Sequence, residues 1–220
     1  MRRHILCLGD SNTHGYCADS EECYDSGFEP WRFDEDARWT CLLQKRLGES
    51  FLVIEEGLNG RTTVFPDPLM EGVNAMDYLA ACLKTHQPLD LLIIMLGTND
   101  CKARFLVNAA EIALGMELLA TRAAQLPVWR KKPNLLIVAP APIGADIDAS
   151  PLGHHFGAGS VEKSVALANA YEQMAKINGF AFLDAGHCCT VSPADCVHLT
   201  RASHASLAQA LESKVRELTA

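Results

Sequence analysis

Four short stretches of this chain carry side chains that would perform acyl transfer if folding brought them together. They are Gly9-Asp10-Ser11, "GLNGRTT" at 57–63, "GTND" at 97–100 and "DCVH" at 195–198. A serine hydroxyl is a weak nucleophile at neutral pH, so a base has to take its proton. A neutral imidazole suits that task. A carboxylate then fixes the imidazole tautomer and stabilises the imidazolium that forms. The tetrahedral oxyanion needs N–H donors already in place, each worth about 2.7–4 kcal/mol. Ser11, His198 and Asp195 fit the first three roles. The Ser11 amide, the Gly60 amide and the Asn99 side chain fit the last.

Taken singly, each stretch has a plainer reading. Ser11 suits a helix cap, Gly57 and Gly60 suit any turn, and "GTND" is good turn chemistry. His198 reads as a surface group near the last helix, and Asp195 as a turn cap. Their occurrence in order, each at the end of a run that reads as a strand, favours the catalytic reading. A helix starting at Ser11 would also bring the positive end of its dipole to a developing oxyanion.

Other groupings carry weaker chemistry. "HCCTVSPADCVH" at 187–198 gathers His187, Cys188, Cys189, Cys196 and His198, which are zinc-type donors. It lacks a Cys-x-x-Cys pair, so buried thiols beside a strand end are the simpler expectation, and no metal or other cofactor is expected. Asp184 is an alternative acid, although Asp195 has the local register with His198. Arg61 and Asp100 flank donor residues and read as a supporting shell or a salt bridge. Trp31, Phe33 and Trp39 read as core, interface or pocket wall, with core or interface the default for aromatics. His14 lies three residues after Ser11, but a helix starting there would aim it elsewhere.

The elements that must position these groups alternate. Residues 4–8 read as a strand, 38–47 as a helix ended by Gly48, and 51–56 as a strand. Residues 75–86 read as a helix stopped before Pro88, and the continuous apolar run at 89–97 as a central parallel strand. A helix over 108–126 with Asn108 as N-cap, a strand at 134–140 and a helix over 160–178 with Ser160 as cap follow. "FAFLDAG" reads as the last strand, and 201–218 as a closing helix capped by Thr200. This order predicts an α/β, three-layer αβα domain over 1–220, with a flavodoxin-like central parallel five-stranded sheet. Ligands then sit at the carboxyl ends of the strands. That gathers the loops at 9–37, 57–74, 97–107 and 184–200. The long acidic loop at 16–37 reads as functional or interfacial.

The totals narrow the partners. The net charge of −8 over 220 residues argues against a phosphate-backbone binder and against an anionic membrane surface. No apolar run reaches the ~18 residues of a membrane span. The segment after Met1-Arg2-Arg3-His4 is too short for a signal peptide. With nine cysteines, an odd number with several in apolar runs, reduced thiols rather than a disulfide scaffold are expected. A cytoplasmic location and a small-molecule substrate follow as expectations.

Together the four blocks resemble the SGNH (GDSL-like) hydrolase family, whose name lists Ser, Gly, Asn and His. The matching positions are Ser11, Gly60, Asn99 and His198, with Asp195 in the family's Asp-x-x-His acid, and the blocks span 9–198. "ARWTCLLQKRLG", "VIEEGLNGRTT", "LKTHQPLDLLIIMLGTND" and "EIALGM" are similar to the arylesterase/acyltransferase subgroup. The resemblance implies a serine esterase acting on short, acetyl-type esters, with acyl transfer to alcohols and a homo-oligomeric assembly. Carbohydrate deacetylation and thioester hydrolysis are alternatives on the same residues, and a non-catalytic flavodoxin-like binding module is the alternative outside enzymes. Asn12 replaces the usual leucine of "GDSL" and bears either on the acyl pocket or on helix packing. The loop at 141–160, which in such relatives walls the site, matches only loosely. Asn12, Tyr16, His155 and Phe156 are the candidate substrate contacts.

Overall fold

A computed structural model describes residues 1–19, 21–23 and 31–220. Five strands pair in parallel in the order β2-β1-β3-β4-β5. They are β1 (Arg3–Gly9), β2 (Phe51–Gly57), β3 (Leu91–Met95), β4 (Leu135–Ala139) and β5 (Ala181–Asp184). The helices are α1 (Ser11–His14), α2 (Trp39–Leu47), α3 (Ala75–Thr85), α4 (Ala109–Gln125), α5 (Gly153–Phe156), α6 (Ser160–Asn178) and α7 (Arg201–Leu218).

Side chains alternate across each strand, so the apolar runs of β1, β3 and β4 feed two cores. Leu6, Leu8, Leu92, Ile94 and Ile137 face the layer built from α3, α4 and α6. Ile5, Cys7, Leu91, Ile93, Leu136 and Val138 face α2 and α7. A strand buried on both faces has no polar side, which is why these segments read as continuous apolar runs. Each fully buried Leu or Ile contributes about 1.5–3 kcal/mol. Both layers therefore hold the sheet rigid beneath the loops at its carboxyl edge. The order reverses between β1 and β3, and the loops after those two strands diverge there.

The elements fall where expected, with local differences. β3 covers 91–95 rather than 89–97: Leu89 exchanges backbone bonds with Val128 and Arg130 instead, and Gly97 turns the chain at φ +121°. The last strand stops at Asp184, whose carboxylate accepts from the Gly186 amide and starts a single 3-10 turn. Asn108 and Glu111 form a full capping box on α4, and Thr200 caps α7. Ser160 is not a cap. Gly159 holds that position with φ +79°, and Ser160 is the first helical residue. Cys17 and Cys23 are joined as a disulfide, a single local bridge rather than a scaffold. The turn that folds the Cys23 amide back onto the Asp19 carbonyl brings them together. The other seven cysteines are free. Among the described residues no helix is long and apolar enough to cross a membrane.

Candidate active site

Ser11 stands at the start of α1, two residues beyond the end of β1. Asp10, not Ser11, is the cap: its Oδ1 accepts from the Asn12 amide at 2.9 Å. Burial pushes the Asp10 carboxyl up to about 6, with the Asn12 amide and the charge of His198 opposing. Because α1 has only four residues, it offers an oxyanion a few amides rather than the summed dipole of a long helix. Gly57, at the end of β2, lies hard against this turn. A Cβ there would meet the His14 nitrogen at 2.1 Å, so only glycine lets the strand end approach the serine turn.

His198 Nε2 lies 2.9 Å from Ser11 Oγ across 187 residues of sequence. Its Nδ1 hydrogen-bonds Asp195 Oδ2. Asp195 Oδ1 accepts from the amides of Val197 (2.9 Å) and His198 (3.0 Å). Burial alone would raise the Asp195 carboxyl. The bond and charge of His198 and those two amides outweigh it and hold the group below the ordinary carboxylate value. All three residues are buried. Asp184, the alternative acid, pairs instead at 3.6 Å with the exposed His187.

Gly60 sits at φ +79°, in a turn closed by the Arg61 amide on the Leu58 carbonyl at 3.1 Å. Asn99 Nδ2 donates to the Arg61 carbonyl at 3.1 Å. An amide nitrogen carries two protons, so this bond fixes the side chain and leaves one donor. Arg61 braces the arrangement: its Nη1 donates to the Gly9 carbonyl at 2.9 Å and also to the Glu56 carbonyl. The ends of β1 and β2 are thereby tied to the loop after β3. Asp100 does not pair with Arg61. It accepts from the Thr63 amide and hydroxyl instead, and burial pushes its carboxyl up to about 6.

Ser11, Gly60, Asn99 and His198 open on one cavity of about 210 Å³. The profile of the GDSL-like Lipase/Acylhydrolase family matches residues 7–205. The chain belongs to this family. It is a carboxylic ester hydrolase of the SGNH type. It is similar to an aryl esterase from M. smegmatis, with 39% identity over 98% of this chain and 99% of that one, at a TM-score of 0.88. It is also similar to a carbohydrate acetylesterase from Sinorhizobium meliloti, with 36% identity over 99% of this chain and all (100%) of that one, at a TM-score of 0.86. A G-D-S-L family member from Veillonella parvula shares the fold at 17% identity, covering 97% of this chain and 99% of that one, with a TM-score of 0.63. Comparison with the curated proteins gives no match.

Three of the four expected substrate contacts in this hydrolase line the cavity: Tyr16, His155 and Phe156. The Tyr16 ring stacks on His198 with centroids 4.2 Å apart. Asn12 does not line it. Its Oδ1 accepts from the Leu199 amide at 2.8 Å, and its Nδ2 reaches the Val197 carbonyl at 3.4 Å. One residue of helix, about 100° of rotation, carries residue 12 away from the mouth and toward the backbone on both sides of His198. Trp39 is core, its Nε1 donating to the Asn12 carbonyl at 3.1 Å. Phe33 packs with Cys17 and Ala37, and Trp31 is exposed. Residue 20 and residues 24–30 of the long acidic loop lie outside the described residues.

Asn59, Met70, Lys102, Leu152 and Val197 also line the cavity and were not among the candidates. Lys102 carried the best signal, three residues after Asn99 in "GTNDCK". Burial pulls its ammonium below the ordinary value, with Asp67 opposing at 3.7 Å. Among the described residues, the cysteines and histidines of 187–198 do not gather into a ligand set.

Proposed function

We propose that this hydrolase cleaves short, acetyl-type esters through an acyl-enzyme on Ser11. Ser11 Oγ attacks the ester carbonyl while His198 Nε2 takes its proton. Asp195 holds the Nδ1 proton and balances the imidazolium charge. The Ser11 and Gly60 amides and the free Asn99 proton receive the oxyanion. Collapse of the tetrahedral adduct expels the alkoxide, which takes the proton from His198. Water or a second alcohol then attacks the acyl-enzyme by the same steps in reverse. The reading rests on one observation above all: the 2.9 Å contact of Ser11 Oγ with His198 Nε2 at the wall of this cavity.

The cavity's 210 Å³ falls below the ~300 Å³ at which drug-sized pockets begin, which supports a small acyl group. Met70, Leu152, Phe156 and Val197 supply apolar walls for it. The likeness to a carbohydrate acetylesterase supports a second reading, deacetylation of a sugar ester, with Asn59 and His155 as polar groups for the alcohol side. p-Nitrophenyl acetate tests the first reading: Ser11→Ala should lose about 10³-fold or more in kcat. Equal rates in the two proteins would refute it. An acyl series from acetate to octanoate should fall steeply beyond the shortest esters, and a flat series would refute the acetyl assignment. Comparing an acetylated sugar with the aryl acetate separates the two alcohol classes.

A further inference from the structure

Outside the lining of the cavity, where β2 meets the loop that carries Gly60, Glu56, Cys82 and His86 converge. We propose that these three residues bind a thiophilic divalent cation of the zinc type. α3 and its C-cap place Tyr78, Cys82 and His86 four residues apart, which stacks them on one helical face. Glu56, next to the end of β2, faces that stripe. The sulfur, the imidazole nitrogen and a carboxylate oxygen all lie within 4.8 Å of one another. A tetrahedral ion at ordinary Zn–S, Zn–N and Zn–O lengths holds such atoms roughly 3.3–3.6 Å apart. The set therefore closes on an ion with movements on the order of 1 Å.

The charges match. One thiolate and one carboxylate neutralise a dication, and imidazole completes a set of the borderline-soft donors that zinc favours. Cys82 is buried while Glu56 and His86 are partly open, so an ion has a route in and a dry side to rest on. Without metal Cys82 is a neutral thiol. Burial pushes it up to about 12, Glu56 adds to the shift, and Arg61 opposes it. Binding exchanges the S–H bond for a metal–sulfur bond and the Glu56–His86 hydrogen bond for metal–oxygen and metal–nitrogen bonds; the thiol proton goes to solvent, and the Nε2 proton of the neutral imidazole is passed through solvent to Nδ1, so one proton is released net. Tyr78 Oη donates to Glu56 Oε2 at 3.0 Å, leaving Oε1, now 2.7 Å from His86 Nε2, to turn to the ion.

None of the three residues lines the ester cavity, so the ion takes no part in the chemistry there. It would brace the site from outside the cavity lining. The Glu56 carbonyl accepts from Arg61, and the Arg61 carbonyl accepts from Asn99.

Full-length protein, stripped with a chelator and kept in a phosphine reductant, is titrated with Co²⁺ and then Zn²⁺. One equivalent of Co²⁺ should give a thiolate-to-metal charge-transfer band, which Zn²⁺ bleaches. Cys82→Ser should abolish the band, and His86→Gln should weaken binding by about 100-fold or more. A variant with Cys188 and Cys189 both changed to Ser should keep the band. Absence of the band, or a band that survives Cys82→Ser, would overturn the proposal and leave Glu56 and His86 a hydrogen-bonded pair beside a buried thiol. Circular dichroism of Cys82→Ser, a change of one atom, separates loss of the site from loss of the fold.

Discussion

Replacing Asn12 with leucine restores the wording of "GDSL" and should damage the enzyme. The side chain is buried, and it bonds the backbone on both sides of His198: the Leu199 amide at 2.8 Å and the Val197 carbonyl at 3.4 Å. Leu199 and Val197 are themselves buried, so water does not replace the lost partner. An orphaned buried amide costs about 1–3 kcal/mol, and the longer bond adds less. A total of about 2 kcal/mol falls on the segment that aims His198 at Ser11. In a chain of this size, that lowers Tm by about 4–8 °C. The catalytic cost is separate. His198 Nε2 sits 2.9 Å from Ser11 Oγ, and a misplacement of about 1 Å costs on the order of 10²-fold. We expect kcat on p-nitrophenyl acetate to fall by about 10–100-fold with KM little changed. Stopped-flow acylation and thermal melts read the two effects apart. A lower Tm with unchanged kcat would refute the positioning argument and leave Asn12 a residue of the core.

Gly60→Ala forces an alanine into φ +79° and drives its Cβ to 2.6 Å from Met70 Cε. The strain of about 1–2 kcal/mol displaces an oxyanion amide, so kcat should drop by about 10²–10³-fold while the acid–base pH profile keeps its shape. Asp195→Asn keeps the shape of the site and removes the charge that holds the imidazole tautomer. We expect a loss of about 10⁴-fold in kcat, and a loss below tenfold would refute the role given to Asp195. His204 is a third test, read on stability. Burial lowers its imidazole to about 3, and its Nδ1 accepts from the Trp39 amide at 3.2 Å. The unfolded chain takes up that proton near pH 6.5 and the folded one does not, so stability is lost as pH falls from about 6.5 toward 3. Asp10 and Asp100, raised to about 6, act oppositely and favour the fold as pH drops from about 6 to 4. His204→Asn keeps an acceptor for Trp39 without a titrating ring. Urea midpoints for that variant should fall less between pH 7 and pH 4.5 than in the unmodified protein, and an equal fall would refute the assignment.

The strands were legible because β1, β3 and β4 are buried on both faces, and no other position in a fold of this class tolerates unbroken apolar runs. Their ends were less so. The register of Leu89 with Val128 and Arg130, and the cap at Gly159 rather than Ser160, depend on backbone partners far away or on a φ value that residue type alone does not dictate. The site residues were readable as types because the chemistry allows few substitutes for each role. Lys102 escaped because nothing in a lysine's neighbours along the chain says that it will be buried against Asp67.

The sequence by itself determined the alternation of strands and helices and the family, and it proposed Ser11, Gly60, Asn99, Asp195 and His198 as the groups to bring together. The alternation follows from periodicity, which is local, and the family from the likeness of the four blocks to its motifs. Only the tertiary structure decided that Arg61 binds carbonyls rather than Asp100, and that Asn12 bonds the backbone on both sides of His198 instead of lining the cavity. Both rest on contacts between segments far apart in the chain, Arg61 with Gly9 and Asn12 with Leu199, and a choice among partners of equal chemical merit is made by distance, which only the folded sheet supplies.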